Sequence, residues 1–246
     1  MLLKRTVILV AAAAVAALPV SRASQSEPGG MLVQRVLVPA YLQEGTPRAR
    51  RLALIEREVR LFESLVWKHS DRKVRVEATL LPVSRLILES DLTAYSEEWG
   101  YALARSTRVE EDLRLAGVEL SEYDGLVLLF DPIPDRPCQA AGLTWHSERY
   151  SSIPLKENLF QESGHRYPLH LVMTHEYLHQ LDSAFEEAGR AEGFGNPDRT
   201  AQAPGTACVL PGDPYPHFRT ALQHDELCRP TDWRVLDGLM GSWATR

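Results

Sequence analysis

The sequence predicts an α+β chain with an α/β-like N-terminal part: a small twisted mixed sheet covered by helices. Three observations carry that expectation. Segments of strand and helix character alternate from residue 31 to residue 154. One of them, Gly125–Phe130 (GLVLLF), is a continuous apolar run of the kind buried on both faces of a sheet. Beyond residue 189 the regular patterns give way to proline- and glycine-rich, irregular sequence with short helices at the end. Strand–helix–strand units followed by segregated helices define this class, and 246 residues suffice for one large domain.

Residues 1–23 have the features of an export signal. Lys4 and Arg5 give a basic start, 6–20 is an alanine-rich apolar run, and 21–23 are small enough for a cut. The run is short for a membrane span, so the mature chain is expected to begin near Ser24 as a secreted or periplasmic single domain over 24–246. No cysteine follows the run, which argues against a lipid anchor. Cleavage removes Lys4, Arg5 and Arg22 and no acid, so three lost positive charges take the formal net charge from −6 to −9. Such an acidic exported domain is a poor candidate for nucleic acid or for anionic membranes. Nothing in the sequence fixes the oligomeric state.

Taken in order, 24–30 is a polar lead-in ending in Pro28-Gly29-Gly30. Residues 31–39 (MLVQRVLVP) read as the first strand. Residues 47–69 carry Leu54, Leu61, Leu65 and Val66 at helical spacing, which predicts an amphipathic helix. Residues 73–83 alternate and give a second strand. Residues 92–117 read as mostly helical, broken near Gly100 and surest over 109–115. Gly125–Phe130 is the third strand, ended by Asp131-Pro132-Ile133-Pro134. Residues 139–154 (QAAGLTWHSERYSSIP) have no helical period and read as one or two edge segments of the sheet.

The stretch that follows organises the chain. Pro168 is acceptable in a first turn, 169–188 contain neither proline nor glycine, and Gly189 suits a left-handed stop. Val172, Leu178, Leu181 and Phe185 supply a buried side. On this helix lies His175-Glu176-Tyr177-Leu178-His179, a match to H-E-x-x-H. Residues four apart share one face, so both imidazoles reach a single metal ion, for which zinc is expected. Glu176, beside them, is placed to take a proton from water activated by that ion.

With the motif and the order of elements together, the chain resembles the zincins, the H-E-x-x-H zinc metallopeptidases. The motif match covers 171–182 and the architecture 31–189. The resemblance implies a zinc-dependent peptidase acting on peptide or protein substrates, with Glu176 as general base. It also implies a sheet edge that binds substrate as an added strand, for which 139–154 is the candidate. Metzincins have glycine where Asp182 stands and a third ligand where Phe185 stands, so that extension is absent. The thermolysin-like N-E-x-x-x-D string does not follow either. An acid at Asp182 is similar to the lethal-factor type, whose remaining signatures are not located here, and the subfamily stays open.

The third ligand is expected from a later segment. Asp198, 19 residues past His179, is the first choice. His217, His224, Asp225, Glu226 and Asp232 are the alternatives, and Asp182 is expected to orient an imidazole rather than bind. Tyr150 or Tyr215 could donate to an oxyanion. His146, His165 and His170 read as surface or core residues. Nine prolines and glycines across 190–216 predict a long loop, expected to narrow the cleft, followed by short helices near 217–227 and 232–243. Among Cys138, Cys208 and Cys228 a 208–228 bridge is favoured, with the other pairings open. Two competing functions remain: a secreted metal-containing binding module without hydrolysis, and a zinc amidase acting on a non-protein amide such as cell-wall peptide. Glu176 favours hydrolysis, since holding a metal does not require that acid.

Overall fold

The computed structural model describes residues 31–43, 48–134, 136, 138–146, 148–160, 168–189, 198, 216–223 and 230–236. The expected signal at 1–23, the lead-in at 24–30, and 190–197 and 199–215 of the expected loop lie outside them. In chain order the elements are β1 (Leu32–Tyr41), α1 (Arg48–His69), β2 (Val74–Val83), β3 (Leu92–Ser96), β4 (Gly100–Leu103) and α2 (Thr107–Leu115). Then follow β5 (Gly125–Phe130), β6 (Leu143–Trp145), β7 (Tyr150–Pro154), α3 (Leu169–Glu187) and α4 (Pro216–Gln223).

Five strands make one mixed sheet in the order β2-β1-β5-β7-β6, which bears out the α+β expectation. The first four are parallel to one another, and β6 closes the sheet as an antiparallel edge. Because side chains alternate along a strand, each strand feeds two cores. Val36, Val38 and Ala40 of β1, Val127 and Leu129 of β5, and Ile153 of β7 meet α1, α3 and α4. Leu37, Leu126, Leu128, Phe130 and Tyr150 point the other way, against Val109 and Leu113 of α2 and Leu103 of β4. Each such apolar side chain stabilises the fold by about 1.5–3 kcal/mol when fully buried.

Helix α3 lies on the first of these faces and is anchored at both ends and in its middle. Tyr177 is completely buried, packs edge-on against Phe62 of α1 at 5.5 Å, and donates its hydroxyl to Gln34 Oε1 of β1 at 2.5 Å. At the N-terminus, Glu58 of α1 accepts from the His170 backbone N–H at 3.2 Å and pairs with His170 Nδ1 at 2.7 Å. A carboxylate there satisfies a donor that the first helical turn leaves unpaired and complements the helix dipole. Burial pushes the Glu58 carboxyl up, but the hydrogen bonds from His170 and Arg57 outweigh it and leave its pKa below the ordinary value. At the other end Gly189 takes φ +70°, the left-handed stop expected of it.

Two expectations are corrected. Residues 92–103 are not helical: β3 and β4 pair as a separate antiparallel hairpin, and only 107–115 form a helix. Gly100 takes φ +77° at the start of β4, a conformation that favours a turn over helix continuation. Ser106 then opens α2 by accepting the Val109 N–H, so the helix starts where a cap stands. Within 139–154 there are two strands, but only β6 is an edge, since β7 lies between β5 and β6.

Toward the C-terminus, α4 and a 3₁₀ turn at Trp233–Leu236 are described, while 224–229 and 237–246 are not. Cys138 carries a free, half-buried thiol whose pKa burial raises; Cys208 and Cys228 lie outside the described residues. Among the described residues no helix is long and apolar enough to cross a membrane.

Candidate metal centre

Helical spacing brings the two motif imidazoles together at mid-helix. His175 Nε2 and His179 Nε2 are 3.2 Å apart, with ring planes inclined at 83°. Asp198 reaches the same point: its Oδ1 is 3.3 Å from His175 Nε2 and its Oδ2 3.6 Å from His179 Nε2. A tetrahedral ion with bonds of about 2.0–2.1 Å holds its ligand atoms about 3.4 Å apart. The three separations bracket that value, so the donor set fits a dication such as zinc. Among the described residues this is the group of histidine and acidic side chains that converges closely enough to hold a metal.

The electrostatics suit the same role. Burial, reinforced by the neighbouring His175, pushes the His179 pKa down to about 4. Burial also lowers that of His175, against the opposing pull of Asp198. Both rings are therefore neutral at pH 7 and offer lone pairs, as ligation demands. Asp198 supplies the negative charge from a side chain that is 59% exposed.

Glu176, next to His175 on the helix, borders the same cavity and is held against the sheet. It is only 6% exposed, and its Oε2 accepts from Thr144 Oγ1 of β6 at 2.6 Å. Gly142, just before β6, makes this approach feasible: a Cβ there would fall 2.7 Å from both Cγ and Oε1 of Glu176. Burial raises the Glu176 pKa to about 7, partly offset by the Thr144 hydrogen bond and supported by the charge of Asp198. A carboxyl poised near neutrality can both take and return a proton.

These residues open onto a cavity of about 510 Å³. Gly142, Leu143 and His146 form one wall, Phe218 of α4 contributes to the lining, and Tyr95 and Trp99 of the hairpin stand at it as well. Tyr95 and Trp99 are exposed. The approach to β6 is held by Lys156, which donates to the carbonyls of Gln139 and Ala140 at 2.9 and 2.8 Å. The Gln139 N–H is in turn bonded to the Trp99 carbonyl at 3.0 Å.

The other expected site residues fare differently. Asp182 is buried on α3 but does not belong to the converging group, and His179 Nδ1 is buried without a hydrogen-bond partner among the described residues. Asp232 is exposed and outside the group. Tyr215, His165, His224, Asp225, Glu226 and the side chain of His217 lie outside what the structure describes. Tyr150 is corrected as an oxyanion donor. Strand alternation turns it to the sheet face opposite α3, where it stacks on Trp145 at 4.7 Å and burial pushes its pKa up to about 12.

His146 takes a place that the sequence did not reveal. It follows β6, lines the cavity, packs its ring 5.4 Å from that of His179, and has Nδ1 2.9 Å from Ser183 Oγ. A lone histidine after a three-residue strand carries no signal that distinguishes it from a surface residue. Thr144 and Gly142 were equally silent, because their roles depend on which strand faces the motif helix.

No family model matches the chain, and no curated protein does. Among solved structures it is similar to the crystal structure of archaemetzincin from Methanopyrus kandleri, at 16% identity and a TM-score of 0.35. That alignment covers 86% of this chain and 95% of the other. At this level the functional reading rests on the geometry of the site itself.

Proposed function

We propose that this chain is a zinc-dependent hydrolase, a metallopeptidase that cleaves peptide bonds in extended segments. One observation carries the reading: His175, His179 and Asp198 present three ligand atoms within 4.8 Å of one another, and the two histidines share their helix with the buried carboxylate of Glu176. Bound there, zinc would supply Lewis acidity, lowering the pKa of a coordinated water and polarising a carbonyl. Glu176 takes the water proton on Oε1, while Oε2 stays bonded to Thr144, and then passes it to the leaving nitrogen. Beside a bound dication, whose charge would oppose the burial effect, Glu176 would be ionised at neutral pH and able to accept the proton.

A peptide substrate is favoured because β6 is the outer strand of the sheet and lines the cavity. An extended chain can add to such an edge through its own backbone. The proposal includes export, supported by the basic start and alanine-rich run of residues 1–23.

The test is hydrolysis of a mixed peptide library by the zinc-loaded protein. Cleavage should stop on chelation, return with zinc, and vanish in Glu176→Gln that still binds one equivalent of zinc. Failure to take up zinc, or undiminished cleavage by Glu176→Gln, rules the reading out. A chain that binds zinc but cleaves only non-peptide amides would keep the chemistry and reassign the substrate.

A further inference from the structure

A buried row of four hydrogen-bonded polar side chains runs from the middle of the sheet to Glu176. It begins at Leu126 of β5, whose N–H donates to Gln180 Oε1 at 3.2 Å and whose carbonyl accepts from Gln180 Nε2 at 2.9 Å. That two-way pairing fixes which end of the amide is nitrogen. The second proton on Nε2 goes to Ser151 Oγ of β7 at 2.6 Å. Ser151, having accepted, has one proton to give, and Thr144 Oγ1 is 2.8 Å away, directly across the β6–β7 pair. Thr144 Oγ1 in turn donates to Glu176 Oε2 at 2.6 Å. Both hydroxyls also lie near the Glu176 carbonyl, at 3.1 and 3.3 Å.

All four side chains are nearly or wholly buried. Glu176 and Gln180 are four residues apart and so share the helix face turned to the sheet. Gly125 leaves room for the amide, since a Cβ there would sit 3.1 Å from Gln180 Oε1. Such a network needs every member satisfied, because an unpaired buried donor or acceptor is costly.

We propose that Thr144 is a positioning residue for Glu176, and that Gln180 and Ser151 set the direction of its hydroxyl. The chain holds Oε2, while Oε1 lies against Gly142, which lines the cavity, and is the oxygen left for proton transfer. This rests on the hydrolase reading above for its effect on rate, but not for its effect on the fold. A threonine hydroxyl that donates to the carboxyl restricts the rotation that would otherwise spread the base over several geometries.

The experiment compares Thr144→Val, which keeps the shape and removes the donor, with Thr144→Ser, which keeps the donor. In the zinc-loaded protein Thr144→Val is expected to lower kcat by at least about tenfold, with KM and zinc affinity nearly unchanged, and Thr144→Ser is expected to recover most of that loss. Equal losses in both variants, or a loss confined to KM, overturn the proposal. A second measurement does not depend on activity: melting of the zinc-free wild type, Thr144→Val, Glu176→Gln and the double variant. Non-additive Tm shifts support the coupling, and additive shifts overturn it. A protein that shows the coupling but hydrolyses nothing would defeat the hydrolase reading and leave this contact standing.

Discussion

Gly142 touches Glu176: a Cβ built on the glycine would lie 2.7 Å from Glu176 Cγ and 2.9 Å from Cδ. Real carbons do not approach so closely, and the carboxylate is held from the other side by Thr144 at 2.6 Å. Gly142→Ala must therefore displace Glu176, because the β6 backbone is tied to β7. A misplacement of roughly 1 Å at a reacting group costs on the order of 10²-fold in rate. The expected outcome is a fall in kcat of that size with zinc affinity close to wild type, measured by steady-state kinetics beside a zinc titration. A parallel fall in zinc affinity would show that the whole helix had moved.

Burial gives Glu176 a linkage to pH. Its folded-state pKa is raised to about 7, above the ordinary value of 4.5, so the protonated form is the one the zinc-free fold favours. Its contribution to stability is complete below pH 4.5 and is lost as pH rises through about 7. Glu176→Gln removes the charge, and the zinc-free variant is expected to melt higher than wild type at pH 8 and alike at pH 4. The gain at pH 8 is on the order of 3 kcal/mol, several degrees in Tm. The same variant should lose about 10²–10⁴-fold in activity, the usual share of a general base. An equal Tm difference at both pH values would mean that the carboxylate is not desolvated as described.

Metal affinity should resist mild acid. With the His179 pKa pushed down to about 4 and that of His175 also lowered, protons compete for the lone pairs only below the ordinary histidine value. Zinc affinity, followed by competition with a chromophoric chelator, is expected to stay flat from pH 8 through the ordinary histidine pKa of about 6.5 and to fall only below it. Asp198→Ala should weaken it at every pH, by more than the 10–100-fold typical of lost supporting contacts. Chelation should lower the wild-type Tm, because an ion that binds only the folded state stabilises it. An unchanged affinity in Asp198→Ala would move the third ligand elsewhere.

How far the sequence could be read depended on whether a feature was local. The motif helix was legible to its ends because Pro168, Gly189 and the unbroken stretch between them act through the chain's own backbone. Gly125–Phe130 was legible for the same reason, its continuous apolar run being enough to call a buried strand. Asp198 was chosen on chain distance alone, and it lies beside the two imidazoles. What could not be read depended on partners distant in sequence. Residues 92–103 read as helical up to a break near Gly100, but their pairing as β3 and β4 is decided by a turn before Gly100. Tyr150 was a candidate donor by proximity, yet the phase of β7, which the neighbouring strands fix, turns it away from the metal. Thr144, Ser151 and Gln180 are ordinary polar residues one by one, and only the packing of α3 on β5, β6 and β7 makes them a chain.

Glu58 and His170 give a last prediction, on the stability of the helix that carries the site. Glu58 is 2% exposed and bonded to both the backbone and the ring of His170, which leaves its pKa below the ordinary value despite burial. A depressed carboxylate contributes stability above its unfolded pKa of about 4.3 and loses it as pH falls through the lower folded value. Glu58→Gln should therefore reduce Tm at pH 7, and the deficit should shrink as pH drops below about 4. Hydrogen bonds to a charged group contribute about 1.5–3 kcal/mol, and each kcal/mol moves Tm by about 2–4 °C in a domain of this size. Since His170 opens the helix five residues before His175, loosening it should also weaken zinc binding at pH 7. A Tm deficit that persists unchanged into acid would assign Glu58 a packing role, and intact zinc binding would show that the first turn of α3 moves independently of the metal-binding turn.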